Sequence, residues 1–118
     1  MAVSTARYLV AVTACVSGVA HTYMAAERLE KLCQQEKWHI KIETQGALGT
    51  ENRLTEAEIS RADVVLLITD IELAGIERFS HCRYVQSGIN AFLREPQRVM
   101  SAARKLLTAP QHTHIILE

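Results

Sequence analysis

Residues 8 to 22 read Tyr8-Leu-Val-Ala-Val-Thr13, then Ala14, then Cys15-Val-Ser-Gly-Val-Ala-His-Thr22. The first six residues form a continuous run rich in β-forming side chains, which is typical of a strand covered on both faces. From Thr22 to Glu36, apolar side chains recur at helical spacing and predict a helix. Cys15 is therefore predicted at a strand-to-helix turn of small residues. Backbone N–H groups and the positive end of the helix dipole favour an anion there, and they favour the thiolate form of a cysteine.

Strands and helices alternate along the rest of the chain. Apolar runs and alternation predict three more strands, at His39–Thr44, Val64–Thr69 and Cys82–Gln86. Helices are predicted at Leu54–Ala62, which opens with a capping box at Thr55 and Glu58, at Ile89–Glu95 and from Pro96 to about Leu107. The sequence predicts no place for Ile115–Leu117. This order predicts an α/β fold with an open, mostly parallel four-stranded sheet and helices on both faces, in a Rossmann-like three-layer arrangement.

The composition argues against several classes of protein. Among 118 residues, 13 Lys and Arg balance 13 Asp and Glu, so no net field favours nucleic acid or an anionic membrane. Three cysteines without paired spacing argue against a disulfide framework or a zinc cluster and indicate a reducing, cytoplasmic setting. The apolar stretch Tyr8–Val12 is too short for an export signal, and no stretch approaches the ~20 residues that cross a bilayer. We expect one domain with no metal, no cofactor, no nucleic-acid partner and no direct membrane insertion.

Three predicted loops follow the first three strands. In open α/β sheets, ligands bind beyond the carboxyl ends of the strands. We therefore expect a site lined by three segments: Cys15–Thr22, Gln45–Asn52 and the segment after Asp70. We predict Cys15 as the nucleophile, followed by a phosphoryl-binding loop of Val16, Ser17, Gly18, Val19, Ala20, His21 and Thr22. The N–H groups of residues 17 to 21 would hold the phosphoryl oxygens, and Gly18 would permit their close approach. Gln45 and Gly46 are expected to border this site.

The spacing Cys15-x5-His21-Thr22 is similar to the Cys-x5-Arg-Ser/Thr loop of the cysteine-dependent tyrosine phosphatases. The arginine that grips the phosphoryl oxygens is missing, and an imidazole carries only partial charge near neutral pH. The sequence offers no convincing general acid for a leaving alcohol, although Asp70 stays open as a candidate. A phosphocysteine that waits for an acceptor is therefore favoured over rapid hydrolysis. His21 is expected to donate to the phosphoryl group, orient the loop or cap the helix, and Thr22 to stabilise the thiolate or cap the helix.

A longer part of the chain resembles a known family. Ala14–Glu27 is similar to the active-site region of the fructose-type (fructose-like) IIB components of the bacterial phosphoenolpyruvate-dependent sugar phosphotransferase system. The similarity continues in the family's order and spacing through Glu43–Thr55, Ala62–Leu67 and Glu77–Phe79. It covers about residues 8 to 107, which we take as the core of a single domain over residues 1–118.

The resemblance implies a cytoplasmic phosphotransfer domain. A phosphohistidine on a IIA protein would donate a phosphoryl group to Cys15, which would pass it to a fructose-like sugar on a membrane IIC partner during uptake. Contact with IIC would bring the protein to the inner membrane. Family members usually have Pro-Thr where this chain has Val16-Ser17; proline fixes φ and lacks an N–H, so Val16 loosens the loop and adds a donor. Two alternatives stay open, a small cysteine-dependent phosphatase and an inactive regulatory paralogue.

Overall fold

The strands and helices follow the predicted alternation. The computed structural model describes residues 7–15, 19–46, 49–71 and 75–117, with Val19 and Ala20 described by their backbone alone. The strands are β1 (Tyr8–Ala14), β2 (His39–Gly46), β3 (Gly49–Glu51), β4 (Val64–Thr69), β5 (Tyr84–Ser87) and β6 (His114–Ile116). The helices are α1 (Val19–Glu36), α2 (Glu56–Arg61), α3 (Ile89–Arg94) and α4 (Pro96–Leu106), and Ile76–Phe79 forms a 3₁₀ turn.

Within the described residues, six strands form one sheet in the order β3-β2-β1-β4-β5-β6. β1 runs parallel to β2 and β4, and its last residue, Ala14, lies opposite Gln45 and Thr69. β4, β5 and β6 continue in parallel, whereas β3 runs antiparallel to β2. β1 is a central strand, and its carboxyl end leads into Cys15. This end therefore lies in the middle of the row of strand ends where ligands bind in this class of fold.

The predicted class, a mostly parallel α/β sheet with helices on both faces, is confirmed, but the described sheet is larger than the four strands predicted. β3 arises from residues predicted as a loop, where Gly49 adopts a φ of 97° that lets the chain turn back along β2. β6 uses the segment Ile115–Leu117 in part and pairs with β5. Each added strand has three residues, too few to show a period, and its formation depends on the strand beside it.

Alternate residues of β1 face two apolar layers. The layer under α1, α3 and α4 takes Leu9, Ala11 and Cys15. The layer under α2 and the 3₁₀ turn takes Val10, Val12 and Ala14. Because side chains alternate along a strand, Thr13 and Cys15 both lie on the α1 side of the sheet.

One stripe of α1 side chains packs against the sheet. The stripe has the three- and four-residue spacing of a helix face and consists of Thr22, Ala25, Ala26, Leu29, Leu32 and Cys33. The helix begins at Val19, three residues before the predicted start at Thr22, so the second half of the predicted cysteine loop is helical. Thr22, the fourth residue of the helix, is already part of the buried stripe.

Candidate functional site

Cys15 lies where the central strand of the sheet ends. It follows Ala14, and the neighbouring strands reach the same level at Gln45 and Thr69. The residue packs in the α1-side core with 8% of its surface exposed. The Cys15 side chain is thus held by the core at the strand-end edge of the sheet.

The first turn of α1 begins four residues after Cys15 in the sequence and supplies backbone N–H groups. The N–H groups of Val19, Ala20 and His21 have no acceptor inside the helix, and the helix dipole adds partial positive charge to them. The described turn, residues 19–22, contains no acidic side chain that would compete for these donors. Val16, Ser17 and Gly18 lie outside the described residues. Of the predicted phosphoryl-binding loop, the structure therefore describes only residues 19–22, which are helical.

His21 and Thr22 are the third and fourth residues of α1 and differ in burial. His21 is exposed, whereas Thr22 is 1% exposed and stands at the head of the buried stripe. A capping residue precedes the first helical residue, so the predicted capping role is wrong for both. The Thr22 hydroxyl has no hydrogen-bond partner within the described part of the chain. Its role at the thiolate, and that of His21 at a phosphoryl group, stay predictions.

Gln45 and Gly46, the predicted border residues, end strand β2. Gln45 lies opposite Ala14, and its Nε2 donates to Glu43 Oε2 at 2.8 Å. Ile42 packs on the α1 side, so alternation places Gln45 on the other face of the sheet from the Cys15 side chain. A Cβ at Gly46 would meet no atom within 4 Å, and close approach of the backbone does not require glycine there.

A buried ion pair beside this edge was not predicted from the sequence. Glu43 is 0% exposed, and its Oε1 accepts from the Leu54 N–H at 2.8 Å and from Arg78 Nη1 at 3.1 Å. Its Oε2 accepts from Arg78 Nη2 at 3.1 Å as well as from Gln45, and Arg78 Nε donates to the Gly75 carbonyl at 2.8 Å. The pair therefore ties the end of β2 to the segments before α2 and after β4. The only sequence signal for this ion pair was an acidic residue, Glu43, at an inward-facing position of a predicted strand.

The charge of Glu43 is compensated inside this network. Burial by itself would raise the pKa of the Glu43 carboxyl, but the hydrogen bonds from Arg78, Leu54 and Gln45 and the charge of Arg78 outweigh it. The pKa consequently lies below its ordinary value. Asp70, the candidate acid, is exposed and accepts from the Ile89 N–H at 3.0 Å, which holds its carboxylate at the amino end of α3.

The other cysteines are placed for packing. Cys33 is fully buried in the α1 stripe, as predicted, and burial together with the charge of Glu36 raises its pKa to about 12. Cys82 is half-buried, and burial raises its pKa too. In the ranges that the structure describes, no three His, Cys, Asp or Glu side chains gather as metal ligands. Among the described helices, none combines the length and apolar character of a membrane span.

Comparison with known proteins points to one family. The family model described as "PTS system, Lactose/Cellobiose specific IIB subunit" matches residues 10–102. The chain is 81% identical over 111 residues to the PTS system fructose-like EIIB component 3 of Escherichia coli (strain K12), across 94% of this chain and 98% of that protein. It is 40% identical over 98 residues to the PTS system fructose-specific EIIB'BC component of Vibrio cholerae serotype O1, across 83% of this chain and 17% of that larger protein.

A crystal structure of a predicted fructose specific IIB from Escherichia coli has the same fold. It superimposes with a TM-score of 0.92 at 80% sequence identity, over 95% of this chain and 99% of that chain. The family match contains Cys15 and the first turn of α1, and it extends from β1 into α4. The chain therefore belongs to the IIB family of the sugar phosphotransferase system and is a fructose-like member of it.

Proposed function

We propose that the protein is a phosphocarrier that holds a phosphoryl group on Cys15 during uptake of a fructose-like sugar. IIB components are phosphotransferases, and this chain belongs to that family. The observation that carries the assignment to Cys15 is its position at the end of the central strand, four residues before the start of the 18-residue helix α1. That edge combines a sulfur nucleophile with N–H groups that favour an anion.

Transfer to Cys15 exchanges a P–N bond for an S–P bond. The thiolate attacks the phosphorus of a phosphohistidine on a IIA protein, and the imidazole nitrogen leaves with the bonding electron pair and takes up the proton that the thiol gave up. In the second step, a sugar hydroxyl oxygen attacks the phosphorus and the S–P bond breaks. The sulfur leaves as a thiolate, and the hydroxyl proton passes to a base on the sugar-binding partner. Phosphoryl charge at the amino end of α1 is stabilised throughout.

The partners we propose are a IIA phosphohistidine protein as donor and a membrane IIC sugar permease on the acceptor side. The relative from Vibrio cholerae supports the second partner, because its name, EIIB'BC, joins B and C components in one protein. In this proposal the protein is cytoplasmic and reaches the inner membrane through IIC.

Intact-mass spectrometry tests the assignment. After incubation with phosphoenolpyruvate, the general phosphocarrier proteins and a panel of IIA proteins, the wild-type protein should gain the mass of one phosphoryl group. Cys15→Ser should abolish the gain, whereas Cys82→Ser, a matched change at a half-buried thiol, should retain it. A gain that persists in Cys15→Ser, or no gain with any IIA protein, contradicts the proposal. Steady release of phosphate from an aryl phosphate, abolished by Cys15→Ala, would instead identify a phosphatase.

A further inference from the structure

We propose that the exposed side chains of Tyr23 and Met24 on α1 form a docking surface for the IIA phosphohistidine protein, an inference that rests on the proposed function of Cys15. Among the residues that the structure describes, three large hydrophobic side chains are exposed: Tyr23 at 39%, Met24 at 54% and Ile116 at 63%. Two of the three are neighbours near the start of the helix that follows Cys15. Tyrosine and methionine are enriched on surfaces that bind another protein.

Both side chains cover the amino end of α1. Tyr23 and Met24 are the fifth and sixth residues of this helix. At the rise of an α-helix they lie within about 8 Å of its start along the axis. Helical side chains lean toward the amino end of their helix, over the preceding turn. The two side chains therefore lie over the first turn, whose N–H groups favour the phosphoryl group in the proposed reaction.

Tyr23 and Met24 contribute to binding in different ways. The Tyr23 hydroxyl donates to Glu51 Oε1, which also accepts from Thr44 Oγ1 at 3.4 Å. This bond joins α1 to the edge strand β3 and holds the ring in place, so the ring loses little conformational entropy when a partner covers it. Met24 has an unbranched, polarizable side chain that adapts to an irregular surface. The surface thus combines a fixed aromatic ring with an adaptable neighbour.

A groove continues this surface toward α3. Its volume is about 250 Å³, and its lining comes from the exposed face of α1 and from one residue of α3: Tyr23, Met24, Glu27, Arg28, Lys31 and Leu93. Leu93 is half-buried against the α1-side core and adds apolar surface from the second helix. Glu27 and Lys31 pair with each other at 3.4 Å, so their charges compensate. Hydrophobic surface from two helices is therefore available to one partner.

The partner that fits this surface is a protein that carries its phosphoryl group on a histidine. To form the S–P bond, such a donor must bring its phosphorus to the Cys15 sulfur, so its own surface covers the strand-end edge and the helix start. The charges also agree, because phosphohistidine is anionic, the helix dipole makes the amino end of α1 positive, and residues 19–22 contain no acidic side chain. Contacts of the donor with Tyr23 and Met24 would hold the phosphorus in reach of the sulfur.

Phosphorylation kinetics test this inference, with a IIA protein that phosphorylates the wild type. The initial rate is measured by intact-mass spectrometry over a range of concentrations of this protein. We expect Tyr23→Gln and Met24→Gln each to raise KM about fivefold and to leave the maximal rate within about twofold, because a binding contact is lost and the reacting groups are unchanged. Met24→Leu keeps a hydrophobic side chain of similar size and should stay within about twofold of the wild-type KM.

Ile116→Gln is the matched control. It makes the same hydrophobic-to-amide change at an exposed side chain, but on β6, at the edge of the described sheet and three strands away from β1. Its KM should equal that of the wild type. All three glutamine variants should keep the wild-type urea midpoint, because each changes an exposed side chain. A rise in KM in Ile116→Gln equal to that in Met24→Gln overturns the docking surface.

The outcomes separate this inference from the proposed function. If a IIA protein phosphorylates the wild type but Tyr23→Gln and Met24→Gln keep the wild-type KM, the docking surface is overturned and the phosphocarrier stands. If the two variants impair only the later transfer from phosphocysteine to sugar in membranes that contain IIC, the surface belongs to the acceptor side and the inference is overturned as well. If no IIA protein phosphorylates the wild type, the phosphocarrier itself is overturned and the docking surface falls with it.

Discussion

Polar side chains at the carboxyl edge of the sheet are buried in two opposite ways. Glu43 has both carboxylate oxygens bonded, and its charge is matched by the guanidinium of Arg78. Thr13 and Thr22 are as deeply buried, yet their hydroxyls have no partner in the described ranges. The first arrangement fixes the segments beside the site, whereas the second leaves two buried hydroxyls without a hydrogen bond in the described ranges. Burial at this edge is thus compensated for the carboxylate but not for the two hydroxyls.

Removal of the Glu43 charge should destabilise the protein strongly. Glu43→Gln leaves the Arg78 guanidinium beside a neutral amide, and we expect the free energy of unfolding to fall by about 3 kcal/mol at neutral pH. Glu27→Gln is the matched control, because its pair with Lys31, at 3.4 Å from Oε1 to Nζ, lies on the surface of α1. It should change the free energy by less than about 0.5 kcal/mol in urea denaturation. Similar effects of the two variants would contradict a structural role for the buried pair.

The same comparison has a defined pH dependence. The pKa of Glu43 is lower in the folded than in the unfolded chain, so the ionised carboxylate contributes its full stabilisation above the unfolded value. That contribution is lost as the pH falls through the folded value. The gap in unfolding free energy between the wild type and Glu43→Gln should therefore be constant near neutral pH and shrink below about pH 4. A gap that widens in acid would contradict the assigned charge state.

Individual helices differ in how completely their sequence defines them. The capping box of α2 is a local pattern, and the structure contains both of its bonds, from the Glu58 N–H to Thr55 Oγ1 at 3.1 Å and from the Thr55 N–H to the Glu58 carboxylate at 2.8 Å. The start of α1 is less local. Its first turn contains no strong start signal among the residues described, and it is held by packing of Thr22 against the sheet. A capping box can be predicted from four consecutive residues. A first turn that is stabilised by packing cannot be predicted from its own residues.

The capping box should therefore respond to a single substitution. Thr55→Ala removes the side-chain oxygen that accepts from the Glu58 N–H, and it should lower the free energy of unfolding by about 1 kcal/mol. Thr55→Ser keeps an acceptor at the same position and should lie within about 0.5 kcal/mol of the wild type. Urea denaturation monitored by far-ultraviolet circular dichroism measures both. Equal losses in the two variants would assign the effect to the methyl group rather than to the cap.

At the scale of the whole molecule, the described sheet is completed by two short strands at its edges. β3 pairs with β2 through Gly46 and Gly49, and β6 pairs with β5. Ile115 in β6 packs against the α1-side core, whereas its neighbour Ile116 is 63% exposed. β6 thus extends the core beyond β5 and occupies backbone groups that an open edge would present to another chain.

Neighbouring isoleucines of β6 provide a matched test of that role. Ile115→Ala removes apolar area from the core and should lower the free energy of unfolding by about 1–2 kcal/mol. Ile116→Ala changes the same side chain on the solvent face and should have an effect below about 0.5 kcal/mol. Urea midpoints of the two variants provide the comparison. A larger loss in Ile116→Ala would mean that the strand packs with the opposite face inward.

Much of the fold could be predicted from single segments. The run Tyr8–Thr13, the run Val64–Thr69 and the helical spacing up to Glu36 each carry enough apolar periodicity to define an element. The same segments place Cys15 between the first strand and the first helix, and this order is confirmed. The strand His39–Thr44 was also predicted, but its inward acid was not connected with Arg78. That partner is 35 positions away, in a segment without a clear pattern.

By itself, the sequence determined the α/β class, the cysteine at the end of the first strand and the family to which the chain belongs, because these features lie in contiguous residues. Only the tertiary structure decided the six-strand order of the described sheet, the buried pair Glu43–Arg78 and the unpartnered hydroxyls of Thr13 and Thr22. Edge pairing, charge compensation and burial depend on groups that meet in space from distant parts of the chain. A local pattern contains one of the partners but not the contact.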